Sequence, residues 1–453
     1  MTDLLDLLQC PRCQAAPLAQ AGETFACTAC AAQFPRVEDI PWLFAEPGAA
    51  ASEWRLRLEF LLQHLGAEAA RMRAELDKPH LKPLTRTRLK LLAAAYQDQA
   101  RRLQALLAPL VREVHTARET HLALRTRLPQ SQGLAAYYAN IHRDWAWGAE
   151  ENAASCAEVE AALGERPPGR TLILGAGAGR LAYDIHLRCA PRVTVAADIN
   201  PLLLLVARKV LAGEKLALYE FPIAPRSAEA HAVLRTLSAE RPVGERFHLV
   251  FADALHAPFA AEAFDTVITP WFIDIIAEDF ARFAPRVNRW LRPGGRWVNF
   301  GSLAFAQADA AACYSLEEVE ELVSDAGFAL GHRREASLPY MRSPASRHAR
   351  VESVVTFAAD KVRQVAAPPA FEALPEWITL GTEPVPLTPA FQATALSTRI
   401  HGFIMSLIDG RRSLRDMAAI MVEQRLMTAE DAETALRGFF IKMYEDSRRR
   451  MDY

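Results

Sequence analysis

The chain has 453 residues, 51% of them hydrophobic and 23% charged, which is too long for one ordinary core and too apolar for a disordered polymer. With 52 basic side chains against 54 acidic ones, the net charge of -2 argues against bulk nucleic-acid binding. No apolar run approaches the ~20 residues of a membrane helix and the acidic start MTDLLDLLQC is unlike a secretory signal, so a soluble cytoplasmic protein of two or three domains is expected.

Seven cysteines fall into two classes: Cys10, Cys13, Cys27 and Cys30 form the knuckles CPRC and CTAC, while Cys156, Cys189 and Cys313 stand alone as core fillers. Each knuckle lets two thiolates meet one tetrahedral ion, and a module too small for its own core gains folding energy from zinc. Paired knuckles, turn-forming Pro11 and flanking short strands favour structural zinc over a redox pair. The stretches LLDLLQCPRCQAAPL and FACTACAAQFPRVEDIPWLF resemble the zinc ribbon of the small activator proteins that partner tRNA and protein methyltransferases. For residues 1–46 the resemblance implies a structural or partner-binding role without chemistry of its own.

AEPGAAASE reads as a linker. Residues 53–135 read as a helical region, mainly a hairpin of long helices whose arginines form a solvated face. The spacing then predicts an α/β core over 136–362. RTLILGAGAGRLAYDIHLRC is a strand, a glycine loop (Gly175, Gly177, Gly179) and a helix, the way a doubly wound sheet presents a nucleotide cofactor at a strand's C-terminal end. RVTVAADIN ends a second strand in Asp198, placed to bind ribose hydroxyls, and FHLVFADAL ends a third in Asp253, placed with the Ala254 backbone to receive adenine. AFDTVITPWFID gives a fourth strand and NRWLRPGGRWVNF a helix, a turn and a fifth; two further strands follow the helix SLEEVEELVSDAG. The spacing G-x-G-x-G, with that ending, favours S-adenosyl-L-methionine over a dinucleotide and a Rossmann-like, seven-stranded class I methyltransferase core.

Within TPWFIDII, Asp274 interrupts an apolar run where a strand ends. Two readings stand: a cap for a helix beginning IIAEDFARF, or a carboxylate kept for chemistry.

GAGAGRLAYDI, IHRDW, LYEFPIAPRSAE, the WFID run and LRPGGRWVNFGSL together resemble the carnosine N-methyltransferase family, from Glu53 to Lys361. The resemblance implies that Asn140 and Arg143 hold the methionine end of the cofactor above the glycine loop. It likewise sets Asp198 on the ribose, Asp253 and Ala254 on the adenine, and Thr269 near the sulfonium. It puts Phe272, Asp274 and Tyr340 in the substrate pocket, where Asp274 orients an imidazole for N-methylation. Ile173 replaces the acidic residue usual before the glycine loop. Ala306 stands in place of a family histidine, and RHARVESVV replaces a tyrosine-rich strand, departures on the substrate side; the acceptor expected is an imidazole or amine nitrogen of a carnosine-like, histidine-containing peptide or small metabolite. TPWF also resembles the Asn/Asp-Pro-Pro-aromatic motif of amino methyltransferases, with Thr269 in first place and one proline.

Residues 363–390 read as a proline-rich linker and 391–453 as a small domain of winged-helix type. Its DGRRSLRDMA turn resembles the peptide-recognition domain of the pyrroloquinoline-quinone chaperone, implying a peptide or protein partner; a nucleic-acid-binding winged helix or a dimerising cap are the rivals. An N-methyltransferase is therefore expected, against an RNA or protein methyltransferase guided by the ribbon and a noncatalytic scaffold.

Overall fold

The computed structural model describes residues 2–22, 24–111, 133–276, 278–307, 309–367 and 384–448. They fall into two compact units, one ending at residue 367 and one starting at 384.

The first unit is built on a nine-stranded sheet. Its seven core strands are β6 (Arg170–Leu174), β7 (Val193–Asp198), β10 (Phe247–Ala252), β11 (Phe264–Pro270), β12 (Leu291–Gly301), β13 (Phe328–Tyr340) and β14 (Arg350–Lys361). They lie in the order β13-β14-β12-β11-β6-β7-β10; β6, β7, β10, β11 and β12 run parallel, and β14 pairs antiparallel with both β12 and β13. The parallel strands are buried on both faces, as their continuous apolar runs require. The strand order reverses between β6 and β11, which opens the crevice at the carboxyl ends where such sheets bind ligands.

The remaining two strands come from the cysteine-bearing N-terminus. Leu18–Ala21 (β1), Thr24–Cys27 (β2) and Gln33–Phe34 (β3) make their own small sheet, but β4 (Arg36–Val37) and β5 (Ile40–Leu43) extend the main one. β5 pairs in parallel with β10, Trp42 opposite Phe251 and Leu43 opposite Ala252. The Trp42 ring lies 5.0 Å from Phe251 and 4.6 Å from Phe44, and its indole N–H donates to the Pro47 carbonyl at 3.0 Å. Leu7, Leu8, Phe25 and Phe34 share one core with Phe259, Phe264 and Trp290, which pack on one face of the main sheet. The ribbon is thus welded to the sheet, burying the edge that β10 would otherwise expose.

AEPGAAASE is helix, not linker: the helix Pro47–Glu75 starts with Pro47 in its first turn, and the alanines that follow are strong helix formers. It packs against Pro83–Leu106 as a hairpin. Residues 112–132 and 368–383, which carry the end of the expected helical region and most of the expected linker, lie outside the described residues. A hairpin of β8 (Leu216–Glu220) and β9 (Val233–Leu237), unanticipated by the sequence reading, forms from LYEFPIAPRSAE and its continuation. Tyr96 of the second long helix stacks on Phe221 just beyond β8, at 4.7 Å and 11°. Among the described residues, no helix is long and apolar enough to cross a membrane.

The second unit is three helices, Pro389–Ser406, Leu414–Glu423 and Ala432–Arg448, around Leu407, Met417, Met421 and Leu436. Ser413 and Asp416 form a reciprocal capping box, and Asp409 accepts the Arg411 and Arg412 amides at 2.9 Å, which shapes the DGRRSLRDMA turn. Among its described residues there is no strand to form a wing.

Because Trp42 closes the core at the ribbon seam, Trp42→Ala should destabilise the whole first unit by about 3–5 kcal/mol in urea titration. A loss below about 1 kcal/mol would mean that β5 is peripheral.

Candidate active site and cysteine cluster

The glycine loop follows β6 and enters the helix Arg180–Cys189. Gly175 and Gly177 both have left-handed φ, 65° and 56°, but their surroundings differ. A Cβ on Gly175 would meet Cδ2 of Phe272 at 2.5 Å, whereas one on Gly177 would meet nothing within 4 Å. Phe272 therefore closes one side of the loop, and the side over Gly177 stays open. Gly179 caps the helix and packs against Ala207.

Asp198, at the end of β7, fixes this loop. Its Oδ2 accepts the Gly177 amide and its Oδ1 the Asn200 amide, each at 2.8 Å. Burial pushes the Asp198 carboxyl above its ordinary value, opposed by these same amides. Each oxygen keeps a lone pair for a further donor, so the carboxylate can still bind a pair of hydroxyls. Asp253, ending β10, accepts the Leu255 amide at 2.9 Å and lies 3.2 Å from His256 Nδ1, capping the short turn that starts at Ala254.

The segment with Asn140 and Arg143 is an α-turn, Tyr138–His142, continued by a π-turn, Arg143–Trp147. Such widened turns are frequent at functional sites. The Gly148 amide closes it on the Arg143 carbonyl at 2.8 Å, and a side chain on Gly148 would strike that oxygen. The Trp145 indole donates to the Ala178 carbonyl at 2.8 Å, and Arg180 donates to the Asp144 carbonyl at 2.9 Å. These two bonds lay the turn over the glycine loop. Arg143 donates twice to Asp144 Oδ1, at 2.9 and 2.7 Å. Burial works against the charge on Arg143, but Asp144 overrides it and holds the guanidinium above its ordinary value, so it stays cationic.

Tyr340 meets this segment from the far edge of the sheet. Asn140 donates to its hydroxyl at a long 3.4 Å, and the guanidiniums of Arg143 and Arg350 lie 5.2 and 4.8 Å from its ring centre. The ring also lies 5.0 Å from Trp271. Trp271 takes a left-handed φ of 51°, costly for so large a residue, and its close approach to Gly301 excludes a side chain there. Sequence reasoning missed Trp271, since backbone strain leaves no compositional mark.

Asp274 is 4% exposed and caps no helix: the following helix starts at Phe280 under Asp279, which accepts the Ala281 amide at 2.9 Å. Asp274 Oδ2 accepts the Ser302 hydroxyl at 2.7 Å and the Ala304 amide at 3.0 Å. Its Oδ1 is buried with no partner among the described residues. Ala306, where a histidine was expected from the family pattern, belongs to the same 302–307 loop. Thr269 lies near the end of its strand with the side chain turned into the core. Its buried hydroxyl donates to Asn299 at 3.0 Å and accepts the Trp297 indole at 2.9 Å.

In the N-terminal ribbon the four sulfurs of Cys10, Cys13, Cys27 and Cys30 lie within 4.8 Å of one another, the nearest pairs at 3.5 and 3.7 Å. Four ligands about 2.3 Å from one tetrahedral zinc stand at such separations. Burial pushes the Cys10 thiol up to about 12.

A family model of carnosine N-methyltransferases matches residues 129–362. No curated protein matches the chain. Among solved structures, a putative methyltransferase from Bacillus halodurans is 14% identical, with 46% of this chain and 100% of that one covered and a TM-score of 0.33. A Haloferax volcanii complex of the Trm112 methyltransferase activator with a putative methyltransferase gives 12%, 52%, 100% and 0.34 in the same order. Phosphoethanolamine N-methyltransferase 2 of Haemonchus contortus, in complex with S-adenosyl-L-methionine, gives 15%, 51%, 57% and 0.33.

Gly177→Ala should cost only the backbone strain of about 1–2 kcal/mol, and Gly175→Ala about 1–3 kcal/mol more because Phe272 must move. Urea denaturation of the two variants measures the difference; equal losses would remove Phe272 from the loop.

Proposed function

Since the chain belongs to the carnosine N-methyltransferase family, we propose that this S-adenosylmethionine-dependent enzyme methylates an imidazole or amine nitrogen of a histidine-containing peptide or small metabolite. One observation carries the reading: Asp274 Oδ1, buried at the crevice and lacking a donor among the described residues. Leaving such an atom unpaired costs about 1–3 kcal/mol, and an acceptor N–H removes that cost.

Bound S-adenosylmethionine supplies an electrophilic methyl group. Asp198 receives the ribose hydroxyls with its two remaining lone pairs, and Asp253 with the Ala254 backbone receives the adenine. Arg143, kept cationic by Asp144, binds the methionine carboxylate with Asn140 beside it. Ser302 and the Ala304 amide hold Asp274 by one oxygen, so the other points in a fixed direction. Accepting one ring N–H there fixes the imidazole tautomer and leaves the opposite nitrogen with a free lone pair. Phe272 and Tyr340 wall the acceptor, and positioning supplies most of the acceleration.

We assign structural zinc to the four cysteines on their mutual distances. The peptide partner is assigned to the three-helix unit on its DGRRSLRDMA turn.

Asp274→Asn should lower methyl transfer to a histidine dipeptide about 100-fold while calorimetry shows unchanged cofactor affinity. Equal loss of both would make Asp274 scaffold. Labelled cofactor offered with separate peptide, metabolite and RNA pools identifies the acceptor class. Chelation should lower the melting temperature of the entire first unit by more than about 5 °C, because the knuckles share its core. A protein purified without zinc, or one that melts unchanged, would remove the metal from the structure.

A further inference from the structure

The turn that follows Tyr340 is held by residues outside its own strand. Met341 has a left-handed φ of 56°, an unfavourable conformation for its side chain. Glu151, buried in the first turn of the helix Ala149–Leu163, takes both free amides there: Oε2 accepts from Met341 at 3.0 Å and Oε1 from Arg342 at 2.7 Å. One residue further, the Ser343 hydroxyl donates to Glu220, which is itself paired with Arg235 at 2.7 Å. The helix bearing Glu151 is separated from the π-turn bearing Arg143 by Gly148 alone. Asn140 and Arg143 touch Tyr340 from one side of this connection, and Glu151 grips the backbone just after Tyr340 from the other.

We propose that Glu151 is the positioning residue that couples the two halves of the site, transmitting the placement of the Arg143 turn to Tyr340 and hence to the acceptor. The inference rests on the assignment of Arg143 to the cofactor and Tyr340 to the acceptor given above. Both carboxylate oxygens are engaged by N–H donors, a role that a neutral amide cannot copy, since one end of glutamine would oppose donor to donor. With Glu151 removed, Met341 is free to leave its left-handed conformation, and the Tyr340 ring loses its fixed seat against Trp271.

Glu151→Gln should raise the acceptor KM about tenfold, with kcat within about threefold and cofactor affinity within about twofold. A purely structural role would lower the melting temperature and the active fraction and leave KM unmoved. Hydrogen exchange gives a readout independent of turnover. Adding S-adenosylmethionine should slow amide exchange in peptides spanning 338–346 of the wild type and have no such effect in Glu151→Gln. Should the glutamine variant fail to fold, Glu151→Asp, which keeps the charge but shortens the reach, should move both readouts the same way. Unchanged KM together with wild-type protection overturns the coupling. A wild type that binds cofactor but methylates no histidine compound defeats the acceptor assignment instead, and the exchange measurement alone then decides on Glu151.

Discussion

The hydrogen bond from the Trp145 indole to the Ala178 carbonyl is the constraint on which the crevice depends. It ties a segment outside the sheet to the loop between β6 and its helix, and everything on that segment is placed with it. Arg143 and Asn140 come over the glycines, and the helix that continues the turn carries Glu151 to the end of β13. A buried indole N–H needs an acceptor, and the Ala178 carbonyl provides one in the last turn of a loop whose own path is fixed by Asp198. Loop, turn and far strand are thus positioned in series from one anchored point.

Charge is handled in the same economical way throughout this region. The buried carboxylates Asp144 and Glu151 and the half-buried Asp198 each meet a guanidinium or backbone amides, as the penalty for an unpaired buried charge demands. Asp274 breaks the pattern with one satisfied oxygen and one bare one. Glu158 also leaves one buried oxygen without a hydrogen-bond partner among the described residues, but its other oxygen is paired with the Arg334 guanidinium, whereas Asp274 meets only neutral donors.

Much of this was legible in the sequence because it rests on local rules. The strand-glycine-helix pattern around Gly175, the acids ending successive strands and the paired cysteine knuckles follow from periodicity, turn chemistry and ligand spacing. What stayed hidden depends on tertiary context. Thr269 looks like a crevice residue from its place at a strand end, yet strand alternation turns its hydroxyl toward Trp297 and Asn299. Glu151 reads as an ordinary first-turn acid of a helix, since its partners lie about 190 residues away. Trp271 takes its site position from a strained φ. AEPGAAASE has the composition of a linker, yet Pro47 starts a helix there, and only its position within the first turn separates the two.

The seam between β5 and β10 has a consequence for the order of events at the ribosome. Trp42 leaves the exit tunnel about two hundred residues before Phe251, its partner across that seam. The knuckles can gather their cysteines early and β4 can pair with β5 at once, but the other edge of β5 has no neighbour until the third parallel strand has been made. During that interval Ile40, Trp42 and Leu43 are an apolar segment without cover. The long helix that begins at Pro47 is available soon after, and the Trp42 bond to the Pro47 carbonyl gives the waiting strand a further local contact beside β4. The fused module is therefore synthesised well before the strand that completes its seam.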